Sequence, residues 1–166
     1  AAAPPGCHKE KATHKMAVHR TVVIALDESP AAKHCFDWYL QHVHRPENKV
    51  ILLTINAAAP PVFHRDKSEQ MEAQYQDQLR RDSASKDFLN RFSSVCAEKG
   101  VTCEEVVKTG DPRDLILEVA EQSKACLIMI GSRGMGVLKR ALMGSVSTHV
   151  VHHAHCPVTV VRQTDV

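Results

Sequence analysis

The chain has 166 residues, 43% of them hydrophobic and 24% charged, with a net charge of +2. That length supports one domain with a sizeable core, and no apolar run approaches the ~18 residues that cross a bilayer, so a membrane protein is not expected. Lys9, Lys11, Lys15 and Arg20 against Glu10 give residues 1–20 a local +3, which leaves the rest near −1. A nucleic-acid-binding body needs a basic face and is therefore not expected either.

Residues 1–19 carry no apolar h-region and no hydrophobic periodicity. They read as a disordered extension ahead of a domain over residues 20–166, with Met16 as an alternative start. Six cysteines (Cys7, Cys35, Cys96, Cys103, Cys126, Cys156) form no C-x-x-C pair. Four of them fall within apolar patterns, so reduced thiols and a cytoplasmic location are expected.

Residues 20–26 are a β-branched, nearly continuous apolar run, as in a strand buried on both faces. Asp27 and Glu28 follow, then Ser29 as an N-cap and Pro30 as the first helical residue. The helix runs to about Val43, with Ala32, Cys35, Phe36, Tyr39, Leu40 and Val43 inward. Residues 49–55 form a second strand, and residues 56–62 an extended loop. Residues 68–99 read as helix, with Met71, Tyr75, Leu79, Phe88, Leu89, Phe92, Val95 and Cys96 on one side. The polar middle of that stretch, 80–87, predicts a break or an exposed bridge, and Gly100 suits the C-cap.

A third strand covers 102–107. Asp111 caps a helix over 112–124, with Leu115, Ile116, Val119 and Ala120 inward. A fourth strand covers 126–130, a fourth helix 145–154, and a fifth strand 158–161 after the break at Cys156-Pro157. Strict β/α alternation predicts a parallel sheet with right-handed crossovers and helices on both faces. Ligands of such sheets bind beyond the strand C-termini, where strand order reverses. If strand 1 lies beside strand 4, Asp27 and the loop from Gly131 line that crevice.

The loop joins a strand to a helix start and carries Gly131, Gly134, Gly136 and Gly144. Backbone amides at such a junction suit an anion, so phosphate is the first expectation. The P-loop pattern G-x4-G-K-[ST] is absent, because no lysine follows Gly144 and Lys139 precedes it. The dinucleotide fingerprint belongs after the first strand, and here that position reads Asp27-Glu28-Ser29.

Spacing Gly131-x2-Gly134-x9-Gly144-Ser145 resembles the ATP-binding motif of the universal stress protein family. The likeness continues through Val146-Ser147 and Cys156-Pro157-Val158, and includes the strand ending at Asp27, residues 52–55 and Gly110-Asp111-Pro112. It covers roughly residues 20–162. Cys126, where many members carry Asp, and Ala25, where some carry Pro, depart from it. The resemblance implies an α/β fold of flavodoxin-like topology, akin to adenine nucleotide alpha hydrolases, with a five-stranded parallel sheet in the order 3-2-1-4-5. It implies ATP with Mg2+ in the crevice. Gly131, Gly134, Gly144, Ser145, Val146 and Ser147 would hold phosphates and ribose, and Asp27 would contact ribose or the nucleotide-bound metal. Ala25 and the backbone at Ile55 would meet adenine. Arg133 adds charge toward the polyphosphate or faces solvent.

The expected function is a nucleotide switch or sensor in stress response. Any hydrolysis would be slow, since no base or lysine is set at the γ-phosphate in the P-loop manner. The alternatives are a phosphotransferase or adenylyl-transfer enzyme and a nucleotide-free structural dimer. A homodimer is expected through the apolar edge strand at 158–161. His149, His152, His153, His155 and Cys156 read as solvent-facing groups near a helix C-terminus, with metal binding left open. Glu104-Glu105 alternate faces of an edge strand and form no acid/base pair, and no G-x-S-x-G elbow is present.

Overall fold

A computed structural model describes residues 20–58, 67–132 and 143–162. The expectations for the 1–19 extension, most of the 56–62 loop, Cys7, Arg133, Gly134 and Lys139 lie outside the described residues. In chain order the elements are β1 (Arg20–Ala25), α1 (Pro30–His42), β2 (Asn48–Asn56), α2 (Lys67–Glu98), β3 (Cys103–Thr109), α3 (Pro112–Gln122), β4 (Leu127–Gly131), α4 (Ser145–His153) and β5 (Val158–Val161). All strands are parallel, in the order β3-β2-β1-β4-β5.

The two faces follow from the period-2 alternation of the strands. Val22, Ile24, Val50, Leu52 and Met129 pack with Phe36 and Tyr39 of α1 and Leu89 and Cys96 of α2. Val23, Ile51, Leu53, Ile128 and Ile130 pack with Ile116 and Val119 of α3 and Val150 of α4. The continuous apolar strands at 22–24 and 50–53 are therefore sheet layers covered on both sides. Burial pushes the Cys35 thiol up to about 12, and Cys96 likewise, so both stay neutral in the core. No helix of the described residues is long and apolar enough to cross a membrane.

Helix starts follow the expected chemistry. The Ser29 side chain accepts a hydrogen bond from Ala32 N–H at 3.2 Å, with Pro30 opening α1. Asp111 accepts from Arg113 N–H at 2.9 Å and caps α3. The helix α2 ends before Gly100, which adopts φ +68° as a C-terminal glycine does.

One helix expectation needs correction, and at 80–87 the chain takes the exposed bridge and not the break. The 32 residues of α2 are one unbroken helix. Its polar middle continues the helix because it bonds to the strand ends, as described below. Met71, Tyr75 and Leu79 are 71%, 59% and 45% exposed, and are not on the core. The cause is length. A helix of that size spans about 48 Å, whereas a nine-residue strand such as β2 spans about 30 Å. The overrun falls at the N-terminal end, because Phe88, Leu89 and Cys96 at the other end are buried.

The Asp111 cap also responds to pH. Hydrogen bonds from the Arg113 side chain and N–H hold its carboxyl down at about 2. A depressed carboxylate contributes stability that is full above its unfolded value and fades as pH falls through its folded one. Asp111→Asn keeps a capping oxygen but removes the titration. Thermal unfolding of that variant is expected to lose part of its pH dependence between about pH 4 and pH 2. Superimposable acid limbs for variant and parent would show that the cap contributes nothing there.

Candidate functional site

Strand order reverses between β1 and β4: β1 leads on to β2 on one side, and β4 pairs with it on the other. At their C-terminal ends lies a cavity of about 400 Å³, within the range of small-molecule sites. Ala25, Asp27, Ile55, Gly131, Gly144, Ser145, Val146 and Ser147 all line it. Eight of the ten residues singled out from sequence thus meet at one place, and the other two, Arg133 and Gly134, lie outside the described residues.

The two ends of the glycine loop are tied together at their base. Ser132 C=O accepts from Gly144 N–H at 2.8 Å and from Ser147 Oγ at 3.4 Å. Ser132 N–H donates to Val161 C=O at 2.8 Å, which anchors the base to β5. The start of α4 is thereby set beside the end of β4.

The α4 N-terminus differs from those of α1 and α3. Its N-cap is Gly144, which offers no side-chain cap. Thr148 N–H donates to Gly144 C=O at 2.9 Å, which closes the first intrahelical bond. The N–H groups of Ser145, Val146 and Ser147 precede that bond and have no acceptor within the helix. All three residues line the cavity, so the positive end of the helix dipole meets it. Ser147 is buried, and its hydroxyl also donates to Gly144 C=O at 3.0 Å. That hydroxyl serves the loop base, so what Ser147 offers a ligand is its backbone N–H.

Gly131 and Gly144 lack a side chain for different reasons. Gly144 has φ −72° and ψ 159°, ordinary extended backbone open to any residue. Its value at this position is lack of bulk. Gly131 lines the cavity, but a Cβ there would stand 2.9 Å from Ala31 C and 3.1 Å from Ala32 N. Glycine at 131 is required for β4 to pass against the first turn of α1.

On the opposite wall, β2 extends past β1. In a parallel ladder a residue turns its N–H and C=O to one neighbour, and the next residue to the other. Leu26 N–H donates to Leu53 C=O at 2.8 Å, and Gly110 N–H to Asn56 C=O at 2.9 Å. Leu53 thus faces β1 and Asn56 faces the β3 side, so Ile55 faces β1. The β1–β2 register ends at Ala25–Leu53. Among the described residues, the Ile55 N–H and C=O therefore have no strand opposite them, and they form a donor beside an acceptor on an otherwise apolar wall.

Asp27 sits at the mouth. Its Oδ1 accepts from Ser29 N–H at 3.1 Å and from the Ser29 hydroxyl. One residue therefore both caps α1 and orients the carboxylate. Pro112 and Ile116 from α3, and Leu53 and Ala57 from β2 and its exit, also line the cavity. Sequence reading placed Ile116 in the core and did not assign these others. For Pro112 the signal was the family-like Gly110-Asp111-Pro112 turn, which brings α3 up to the crevice, and for Leu53 it was the family-like stretch 52–55.

Elsewhere, the His149 and His153 rings stack at 4.1 Å, and His149 Nε2 lies 3.9 Å from Asp114 Oδ1. Among the described residues no three His, Cys, Asp or Glu side chains gather as metal ligands would. Glu104 and Glu105 lie on the edge strand β3, with Glu104 paired to Lys49 at 2.6 Å.

Comparison with known proteins agrees with this architecture. The sequence profile of the universal stress protein family matches residues 19–162. A universal stress protein A-like protein of Arabidopsis thaliana is 31% identical over 142 residues, covering 81% of this chain and 80% of the relative. The structure of universal stress protein UspA from Lactobacillus plantarum superimposes with a TM-score of 0.67 at 21% identity, covering 87% of this chain and 98% of that one. A universal stress protein family protein from Arabidopsis thaliana, solved with AMP bound, gives 0.62 at 25% identity, covering 88% and 93%. The profile match spans all five strands of the sheet, and the chain belongs to the universal stress protein family.

Proposed function

We propose that this protein binds an adenine nucleotide, ATP with Mg2+, in the β1/β4 crevice and acts as a nucleotide switch or sensor in stress response. The observation that carries this reading is the pairing of two backbone features across one cavity. The uncapped α4 start offers N–H groups to phosphate. The N–H and C=O of Ile55, with no strand opposite them among the described residues, match the edge of adenine, which presents its N6–H donor beside the N1 acceptor. The AMP-bound relative supports the same ligand class. Asp27, oriented by Ser29, is the residue suited to hold the nucleotide's metal or its ribose. Mg2+ supplies neutralisation of phosphate charge.

No side chain among the described cavity residues is a lysine or a histidine placed as a base. Slow hydrolysis at most is therefore part of the proposal. Titration calorimetry with ATP and Mg2+ tests it: saturable one-to-one binding is expected, with phosphate release far slower than nucleotide exchange. Absence of binding at millimolar ATP would refute the site. Brisk turnover would favour the phosphotransferase or adenylyl-transfer alternative.

The proposal includes a homodimer through β5, which pairs only with β4 among the described residues. Ile128 N–H donates to Pro157 C=O, and Ser132 N–H to Val161 C=O. By alternation, Val158 and Val160 then turn their backbone groups outward. Val160→Pro removes an outward N–H and spares the bonds to β4. Sedimentation is expected to show a dimer for the parent and a monomer for the variant. A parent that is monomeric at micromolar concentration would exclude this interface.

A further inference from the structure

The polar middle of α2 is bonded to the end of β2 that carries Ile55. Three polar groups of Asn56 are held. Its Oδ1 accepts from Ser85 Oγ at 2.7 Å, and its Nδ2 donates to Asp82 Oδ1 at 3.3 Å. Its backbone C=O accepts from Gly110 N–H at 2.9 Å. Asp82 is itself fixed, since its Oδ1 also accepts from Gln78 Nε2 at 2.8 Å, and Gln78 reaches Thr109 Oγ1 on β3 at 2.9 Å. About two helical turns, from Gln78 to Ser85, therefore tie together the C-terminal ends of two strands. Next in the chain, Ala57 C=O accepts from Arg81 Nη1 at 3.3 Å.

Ile55 and Ala57 line the cavity, and Asn56 between them does not. The alternation of the strand explains this: Asn56 turns away toward α2 and β3 while its neighbours face the ligand side. Ser85 of α2 is buried at 9% exposure. Its partner is the Asn56 amide, so the hydroxyl is satisfied by this contact.

We propose that Asn56, clamped by Asp82 and Ser85, is the positioning residue that sets base selectivity, by holding the Ile55 N–H and C=O in one fixed order. This rests on the adenine-nucleotide reading above. Adenine offers a donor at N6 and an acceptor at N1. Guanine offers the reverse at the same edge, an acceptor at O6 and a donor at N1. A rigid peptide edge pairs with the first and opposes the second. An edge free to rotate discriminates less, because a turn of the Ile55–Asn56 peptide puts the Asn56 N–H in place of the Ile55 C=O, and that donor suits the guanine O6. The clamp works through the backbone and does not touch the ligand. Phosphate binding at the α4 start lies on the other wall and is independent of it.

The test is calorimetric titration of the full chain with ATP and with GTP, for the parent, Asn56→Ala, Asp82→Ala, Ser85→Ala and Asp82→Asn. The parent is expected to prefer ATP. Asn56→Ala is expected to reduce the ATP-to-GTP affinity ratio about tenfold, the scale of one or two lost hydrogen bonds. Asp82→Ala and Ser85→Ala reduce it in the same direction, whereas Asp82→Asn retains an acceptor oxygen and keeps the ratio. A purely structural role would weaken both nucleotides together and leave the ratio unmoved. If Asn56→Ala does not fold, the two α2 variants carry the test. A parent that binds neither nucleotide overturns the nucleotide reading and the clamp with it. A parent that binds ATP with no preference over GTP, or folded variants that keep the parental ratio, overturns the clamp alone.

Discussion

Gly131→Ala is expected to lower stability by about 1–3 kcal/mol, the cost of forcing one extra carbon into a close-packed contact. The new Cβ would stand 2.9 Å from Ala31 C, 3.0 Å from Ala31 O and 3.1 Å from Ala32 N. All three are backbone atoms, so no rotamer change relieves the clash. Neither side yields easily. Gly131 pairs with Val161 at the end of β4. Ala31 and Ala32 are 7% and 3% exposed, and the turn they belong to is pinned by the Ser29 cap. For a chain of this length each kcal/mol shifts the unfolding midpoint by roughly 2–4 °C. Circular dichroism melting should therefore show a fall of several degrees. An unchanged midpoint would mean that α1 and β4 separate freely, which would undo the packing that shapes the crevice.

Gly144→Val separates fold from binding. The extended backbone at Gly144 (φ −72°, ψ 159°) suits valine, so the penalty is limited to a poorer N-cap, on the order of 1 kcal/mol. The loss at the site is larger. A branched side chain on this cavity-lining residue crowds the N–H groups of Ser145, Val146 and Ser147. Two hydrogen bonds to a charged ligand at ~1.5 kcal/mol each correspond to about a 100-fold loss in affinity. ATP titration of the folded variant is the check. Parental affinity in a variant that melts normally would move the phosphate away from α4.

Much of this was readable from residue order. Uninterrupted β-branched runs revealed the buried strands, and the Ser29-Pro30 and Asp111-Pro112 pairs marked two helix starts by cap chemistry. The glycine spacing located the crevice because β/α alternation leaves few places for it. Other features depend on distances that a linear pattern does not encode. Apolar residues at Met71, Tyr75 and Leu79 have helical period, but the period says nothing of where the sheet beneath them stops. The polar run at 80–87 signalled something unusual. Its meaning lay in partners 26 and 29 residues away, with Asn56 bonded to Asp82 and Ser85. Gly131 is a third case, since its need for a missing side chain comes from α1, about 100 residues earlier in the chain and brought near only by the strand order.

A crystal structure of the protein grown with ATP and Mg2+ tests the nucleotide site most directly. The expected result is adenine against Leu53 and Ile55, with its N6 and N1 facing the Ile55 C=O and N–H, and phosphates on the N–H groups of Ser145, Val146 and Ser147. Nucleotide seated elsewhere on the chain, or a crevice without nucleotide at saturating ATP, would contradict it.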